Sequence, residues 1–222
     1  MAYLPAQRLR LYRNFKAIDA ADHHGIIRYF EQYEDEIRTL DDDEYFDCAY
    51  TYAEALFSVG SYRQAVVMQD HLIEWVILHN VSRWSGQDIL ARLLVRKAET
   101  LLQQQRWHCA ERVLREYAKL YPSDRYGWRL LGKSLLRQRP TWLRYCWAVS
   151  IGLFFASLTA AAAELFIVRP FFRLYGDAVL ATQQLLMTLA LATALSSEGI
   201  HWYRCRRNLR IFATQIRAQS KR

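Results

Sequence analysis

The stretch from Leu93 to Pro122, LLVRKAETLLQQQRWHCAERVLREYAKLYP, predicts two amphipathic helices joined by a short turn. Apolar side chains recur every three or four residues on both sides of the polar run QQQR, and this is the period of a helix that buries one face. Neither helix of such a hairpin can bury its apolar face alone. The stretch therefore needs neighbouring helices to pack against.

The same pattern continues before and after this stretch. Within it and in the next helix, small and aromatic residues lie at the offsets of a repeat of about 34 residues: Ala98, Leu101, Trp107, Ala110, Leu114, Pro122, Trp128, Leu131 and Gly132. A weaker upstream set fits the same template: Tyr52, Ala53, Leu56, Gly60, Tyr62 and Ala65. Residues 46–140 thus resemble a tetratricopeptide-repeat domain, and the second and third units match better than the first.

The resemblance implies an all-α solenoid whose concave surface is a groove for a protein partner. The side chains expected to face this groove are Tyr50, Glu54 and Phe57 in the first unit, Glu99 and Gln103 in the second, and Arg129, Lys133 and Arg137 in the third. They do not reproduce the Lys and Asn clamp of repeats that bind acidic chaperone tails. The last three form a basic helical stripe, which could also contact anionic headgroups or act only as a topology signal.

Some features depart from the repeat pattern. The insert VILHNVSRWSGQ, residues 76–87, must either lengthen a helix or form a loop, and Tyr117 stands where the family prefers a small residue. Almost no strand pattern is present. Residues 1–45 add two or three helices that could complete the stack. The acidic run from Asp41 to Glu44 predicts the start of a helix, because carboxylates there meet free amides and the positive end of the helix dipole.

The charge of the chain is unevenly distributed. Its 222 residues carry a formal charge of +8, from 30 Lys and Arg against 22 Asp and Glu. Residues 141–222 hold ten basic and three acidic residues, so they carry +7, while residues 1–140 carry +1. An excess confined to the C-terminal part argues against a basic nucleic-acid-binding domain.

Signals for catalysis are absent from the sequence. The four cysteines, Cys48, Cys109, Cys146 and Cys205, form no CxxC pair, and the six histidines are scattered without metal-ligand spacing. No GxSxG, P-loop or GxGxxG motif occurs. The sequence therefore predicts neither an enzyme nor a bound metal or cofactor.

Two apolar runs near the C-terminus predict membrane spans. Residues 145–168 read YCWAVSIGLFFASLTAAAAELFIV, and Glu164 is the only charge among them. The run 178–197 has no charge, and the second span extends to about residue 200. A buried helical hairpin of a globular protein is the alternative, but the rest of the chain is too small to bury two such helices.

The flanks of these runs predict the topology. Basic residues precede the first span and follow the second, whereas the connection RPFFRLYGD holds only Arg169 and Arg173. By the positive-inside rule both termini face the cytoplasm, at a plasma membrane or a bacterial inner membrane. No nucleic acid is expected as a partner, and the spans could also mediate homo- or hetero-oligomers.

Charged residues in and after the spans are further candidates. Glu164 and Glu198 are membrane carboxylates, which are either functional or merely interfacial. The tail 204–222 predicts a basic amphipathic helix on the lipid surface, with a flexible tail as the alternative. Its lipid-facing cations are Arg206, Arg207, Arg210 and Arg217.

The sequence as a whole predicts four parts: N-terminal helices in 1–45, repeats in 46–140, a transmembrane hairpin in 141–203 and the tail. The leading hypothesis is a membrane-anchored adaptor that recruits a protein partner. The alternative is a subunit of a transport or secretion complex in which the hairpin is the working part.

Overall fold

The computed structural model describes residues 5–84, 86–168 and 176–219. Contacts divide the chain into two compact units, Met1–Ser134 and Leu135–Arg222. The prediction of an all-α fold is confirmed, since helices account for nearly all of the regular structure in the described ranges.

The first unit is a series of antiparallel helices interrupted by one small β-hairpin. Its elements are α1 (Pro5–Lys16), α2 (His23–Gln32), α3 (Glu34–Ile37), α4 (Asp42–Val59), α5 (Tyr62–Leu78), β1 (Arg83–Trp84), β2 (Gln87–Asp88), α6 (Ile89–Gln103), α7 (Trp107–Leu120) and α8 (Arg125–Arg137). Helix α4 begins directly after Asp41, as the acidic run predicts, although the Asp41 side chain makes no capping hydrogen bond. The last three residues of α8 belong to the second unit.

Helices α4, α5 and α6 end in the same way. The residue after each helix, or shortly beyond it, has a positive φ: Gly60 at 87°, Asn80 at 50° and Gln105 at 60°. The amide that follows each of them donates to the carbonyl five residues earlier, at 2.9, 3.1 and 2.9 Å. This is the Schellman motif, which satisfies free carbonyls at a helix end and turns the chain back. Gly60 and Gln105 therefore occupy equivalent positions in two successive hairpins.

Aromatic side chains form much of the core between these helices. Phe30 of α2 stacks on Tyr52 of α4, with ring centroids 4.1 Å apart. Phe46 contacts Trp75 at 4.7 Å and Trp84 of β1 at 4.8 Å. Trp84 lies in the insert, which both lengthens α5 to Leu78 and forms the β-hairpin. The expectation of almost no strand is confirmed for the described residues, since each strand has only two residues. The hairpin forms because Trp84 gains a core contact by folding back.

A large and a small residue complement each other between α7 and α8. The ring of Tyr117 lies against Gly127, where a Cβ atom would meet Tyr117 Cε1 at 2.4 Å. Tyr117 also donates a hydrogen bond of 2.7 Å to Asp124, just before α8. The bulky Tyr117 is thus accommodated by the missing side chain of Gly127.

The second unit is a helical hairpin with one polar seam. It contains α9 (Thr141–Ala163), a π-helical turn (Glu164–Val168) and α10 (Gly176–Gln219). Buried side chains of α9 and the π-helical turn recur every seven residues, at Leu143, Ser150, Ser157 and Glu164. Ser150 donates to the Ala190 carbonyl at 2.7 Å and Ser157 to the Gln183 carbonyl at 3.3 Å. These bonds link the two helices while they leave each backbone helix intact.

The outer faces of this hairpin are apolar and exposed. Two described helical segments, Thr141–Phe166 and Ala178–Ile216, are long and apolar enough to cross a membrane. Only 11 % and 6 % of their most apolar windows are buried, so they do not resemble the core helices of a soluble protein. The exposed side chains include Phe154, Phe155, Leu158, Leu185, Leu191 and Leu195.

Helix α10 continues from the second apolar run into the basic tail without a break. Its 44 residues extend about 66 Å at 1.5 Å per residue, roughly twice the thickness of a hydrocarbon core. No helix end therefore falls at 203/204, where the sequence predicts a boundary. The connecting loop with Arg169 and Arg173 lies outside the described residues.

The strained helix end at Gln105 predicts a stabilising substitution. Gln105→Gly should raise the free energy of unfolding by about 0.5–1 kcal/mol, because a left-handed conformation costs a side-chain-bearing residue more than it costs glycine. Gln103→Gly, in the last turn of α6, should lower it by about 1 kcal/mol. Chemical denaturation followed by circular dichroism measures both changes. Equal effects of the two substitutions would contradict the assignment of strain.

The contact between Tyr117 and Gly127 predicts an unfavourable Gly→Ala substitution within a helix. Gly127→Ala should lower the free energy of unfolding by about 1–3 kcal/mol, since the new methyl group overpacks against the Tyr117 ring. Thermal unfolding in mild detergent measures the loss. In a Tyr117→Ala background the same substitution should cost less. Gly199→Ala, where a Cβ atom meets nothing within 4 Å, is the control.

Candidate functional site

A salt-bridged arginine joins α4 to α6 in the centre of the repeat unit. Arg96 of α6 donates from Nε to both carboxylate oxygens of Glu54 on α4, at 2.9 and 3.1 Å, and Nη2 donates to the same carboxylate. Its Nη1 donates to Glu99 at 3.1 Å. The guanidinium carbon lies 4.0 Å from the ring centroid of Phe57. One cation thus holds two carboxylates and one aromatic ring in place.

The helical register brings these side chains to one surface. On α6, Arg92, Arg96, Glu99 and Gln103 are separated by four, three and four residues, so they share a face. Thr100, one turn after Arg96 on the same helix, is buried, and its hydroxyl accepts a hydrogen bond of 3.1 Å from Gln69 of α5. This buried link helps to fix the rotation of α6, and with it the direction in which Arg96 points.

A cavity of about 570 Å³ opens beside this network. Residues of α4, α6, α7 and α8 and of the segments before α6 and α8 line it: Glu54, Gln87, Asp88, Ala91, Arg92, Val95, Arg96, Glu99, Tyr117, Asp124 and Tyr126. Four of them are carboxylates and two are guanidinium groups, so the wall has a formal charge of −2. Its volume falls within the range of about 300–1,000 Å³ that is usual for ligand pockets.

Three tyrosines hold the carboxylates of this wall. Tyr117 donates to Asp124 at 2.7 Å, Tyr121 donates to Asp88 at 2.7 Å, and Tyr126 donates to Glu99. Asp88 and Asp124 also accept hydrogen bonds from backbone amides at the starts of α6 and α8, each at 3.0 Å. Each carboxylate is therefore fixed in position before any ligand arrives.

The pKa values of the site follow from these contacts. Burial and the hydrogen bond to Asp88 raise the pKa of Tyr121 to about 12. The pKa of Tyr126 is raised chiefly by its bond to Glu99, and that of Arg96 chiefly by its bonds to Glu54. Burial by itself raises the pKa of Asp124, but bonds from Tyr117 and two backbone amides outweigh it, so the value is lowered. The shifts favour charged Arg96 and Asp124 and neutral tyrosines near neutral pH.

The residues predicted for the groove occupy different places. Glu54 and Glu99 line the cavity and meet through Arg96. Phe57 lies under Arg96, and Tyr50 lies under Arg92 at 5.4 Å, with its own hydroxyl buried and without a hydrogen-bond partner in the described structure.

The remaining four predicted groove residues are exposed and lie outside the lining of this cavity. They are Gln103 at the end of α6 and the stripe of Arg129, Lys133 and Arg137 on α8. The stripe keeps its four-residue spacing along one helix, so it remains a separate basic surface.

Arg92, Arg96 and the tyrosines are missing from the predicted set. Arg96 and Arg92 could have been found, because they continue the face of Glu99 and Gln103 by one and two turns, respectively, towards the start of α6. The tyrosine–carboxylate pairs carry no such signal. Tyr121 and Asp88 are 33 residues apart, and only the fold brings them together.

In the second unit, the two predicted carboxylates, Glu164 and Glu198, lie in different surroundings. The Glu164 side chain is buried, with 6 % exposed, at the start of the π-helical turn. Glu198 accepts a hydrogen bond of 3.1 Å from the Trp147 indole. The two carboxylates therefore differ in their contacts, and their role, functional or merely interfacial, stays a prediction.

The basic residues after the second apolar run lie on the surface of α10. Arg206, Arg207 and Arg210 are exposed, and Arg206 lies over the Trp202 ring at 4.2 Å. The side chain of Arg217 lies outside the described residues. Buried His201 and Cys205 bind the free carbonyls of Leu136 and Leu135 at the end of α8, at 3.2 and 3.6 Å. No group of three or more potential metal ligands is present among the described residues.

Comparison with known proteins agrees with the helical architecture. Residues 91–134 match the family described as tetratricopeptide repeat. The match covers most of α6, all of α7 and most of α8. These helices are the second repeat and the start of the third, which are the better-matching repeats in the sequence. This segment is therefore similar to a tetratricopeptide repeat, a module that typically binds other proteins. No curated protein and no solved structure matches the chain.

The central role of Arg96 predicts a loss of stability when it is replaced. Arg96→Gln should lower the free energy of unfolding by about 1.5–3 kcal/mol, because two partly buried carboxylates lose their charged donor. Denaturant unfolding followed by tryptophan fluorescence measures this loss. The matched control is Arg38→Gln, which breaks an exposed pair with Glu34 and should cost under about 1 kcal/mol. Similar losses for both variants would argue against a central role.

Proposed function

We propose that this protein is a membrane-anchored adaptor whose repeat unit binds a protein partner at the cytoplasmic face of a membrane. The observation that carries the proposal is the cavity beside Arg96, which lies on a tetratricopeptide repeat in a chain that also has two long exposed apolar helices. The repeat supplies the binding surface and the hairpin supplies the anchor.

The membrane anchor is supported by the surface of the hairpin. Phe154, Phe155 and Leu195 are 50 %, 59 % and 72 % exposed, and large apolar side chains at such exposure along two helices are unfavourable in water. Two serines of the hairpin, Ser150 and Ser157, lie in its seam and bind backbone carbonyls of α10. Such an arrangement suits lipid, in which polar groups need partners within the protein.

The charge distribution supports the proposed topology. Basic residues lie before the first apolar segment and after the second, and the basic end of α10 continues past the second segment. Both termini then lie in the cytoplasm and the short connection lies outside, at a plasma membrane or bacterial inner membrane. The basic stripe on α8 and the cations of α10 would lie close to anionic headgroups. The adaptor has no catalytic step and needs no cofactor.

One observation favours a second function, in which the hairpin itself works within a membrane complex. Glu164 is buried at a π-helical turn inside an apolar segment. Ionisable residues within a span, and π-helical turns, both occur often at functional sites. In this case the hairpin would contact other spans, as homo- or hetero-oligomer, and the repeats would provide assembly contacts.

Replacement of the hairpin distinguishes the two functions. A chimera keeps residues 1–140 and carries an unrelated two-span anchor of the same topology. The adaptor proposal expects the chimera to recover the same cross-linked partners from the membrane fraction as the native chain, with at least half of the yield. A version that ends at residue 140 should lose them from that fraction, because the anchor is missing.

The control for this experiment is Glu164→Gln in the native chain, which should leave partner recovery unchanged. Loss of the partners from a correctly inserted chimera would overturn the adaptor proposal. If Glu164→Gln also abolished recovery, the hairpin would be the working part.

A further inference from the structure

We propose that the cavity beside Arg96 binds an extended partner segment through a cationic side chain, Arg or Lys, which enters next to Asp88, Glu99 and Asp124. The inference rests on the proposed function, since it names the chemistry of the partner that the repeat unit would recruit. The basis is the charge of the wall and the way in which its hydrogen-bonding groups are already used.

The two arginines that line the cavity already donate hydrogen bonds to other groups of the protein. Arg96 gives Nε, Nη1 and Nη2 to Glu54 and Glu99. Arg92 donates to the neutral Gln87 side chain at 3.0 Å and covers the Tyr50 ring. An incoming carboxylate would meet Arg92 alone, among four carboxylates. An anionic segment is therefore disfavoured at this surface.

The carboxylates, in contrast, keep accepting capacity. A carboxylate offers about four lone-pair sites. Asp88 uses one for the Ala91 amide and one for Tyr121, and Glu99 uses one for Arg96 and one for Tyr126. Charged hydrogen bonds to a guanidinium or ammonium group are roughly twice as strong as neutral ones. A cationic side chain can therefore bind without displacing the internal donors.

The tyrosines make this surface pre-organised. Tyr117, Tyr121 and Tyr126 belong to α7, the end of α7 and α8, and each fixes a carboxylate of the wall. Fixed acceptors lose little conformational entropy when a ligand binds, so more of the interaction energy appears as affinity. The net charge of the chain cannot produce a preference for cationic segments, because the chain carries +8 and would attract acidic peptides instead.

The test uses full-length protein in neutral detergent micelles and three fluorescent peptides. The first is built from Gly, Ser and Arg, and the other two carry Gln or Glu in place of each Arg. Fluorescence anisotropy at fixed ionic strength gives the dissociation constants. The Arg peptide should bind about tenfold more tightly than the Gln peptide, as expected for two partly exposed charge contacts, and the Glu peptide should bind most weakly.

Three variants locate the effect in the cavity. Asp88→Asn with Glu99→Gln brings the formal charge of the wall to zero and should weaken the Arg peptide about tenfold; asparagine still caps α6. Arg92→Gln should act in the opposite direction and strengthen it several-fold. Glu116→Gln removes an exposed carboxylate of α7 that pairs with Lys119 outside the cavity, and it should have no effect.

The inference is overturned if the Glu peptide binds as tightly as the Arg peptide. It is also overturned if the Asp88, Glu99 double variant behaves like Glu116→Gln while circular dichroism shows a native fold, or if Arg92→Gln weakens the Arg peptide. Failure of the adaptor proposal is a different result, because the hairpin chimera would then lose its partners while the peptide affinities stayed as predicted. Conversely, partner recovery with no preference for cationic peptides would sink only this inference.

Discussion

The bond between Arg96 and Glu54 is the interaction on which the shape of the repeat unit depends. It joins α4 to α6, while the Gln69–Thr100 bond, one turn further along α6, joins α5 to the same helix. Because these bonds tie α6 to two neighbouring helices, it cannot rotate without leaving carboxylates or a buried amide without partners, and such losses cost about 1–3 kcal/mol each. The position of the cavity wall follows from this restriction, since Arg92, Arg96 and Glu99 lie on the same helix.

The hairpins that carry this interaction were largely predictable, because local chemistry determines them. Gly60 and Gln105 fall at the same repeat position in the sequence and end their helices with the same hydrogen bonds. The two apolar runs likewise predict the two long C-terminal helices. The β-hairpin around Trp84 could not be predicted in this way. Its formation depends on a contact with Phe46, 38 residues earlier in the chain, and no local pattern reports such a contact.

The candidate site shows the same division. Glu54 and Glu99 could be named from a helical template, but Arg96, which joins them, was missed although it lies on the same face as Glu99. The tyrosine–carboxylate pairs depend on how α6, α7 and α8 pack, so they could not be predicted from the sequence. Glu164 is a similar case, since its burial follows from the π-helical turn and the seven-residue seam. Sequence spacing alone places it near the end of a span and gives no direction for its side chain.

The negative charge of the cavity wall follows from the residues with which its helices begin. Asp88 precedes α6 and Asp124 precedes α8, and each accepts hydrogen bonds from the first amides of its helix. Aspartate is among the best residues for this position, because it satisfies free amides and meets the positive end of the helix dipole. The hydrogen bond from Tyr126 of α8 to Glu99 of α6 adds a further carboxylate to the same wall. A requirement of helix formation thus places negative charge at the edge of the groove, in a chain whose net charge is positive. The capping residues, and not the overall charge of the chain, therefore determine the sign of this surface.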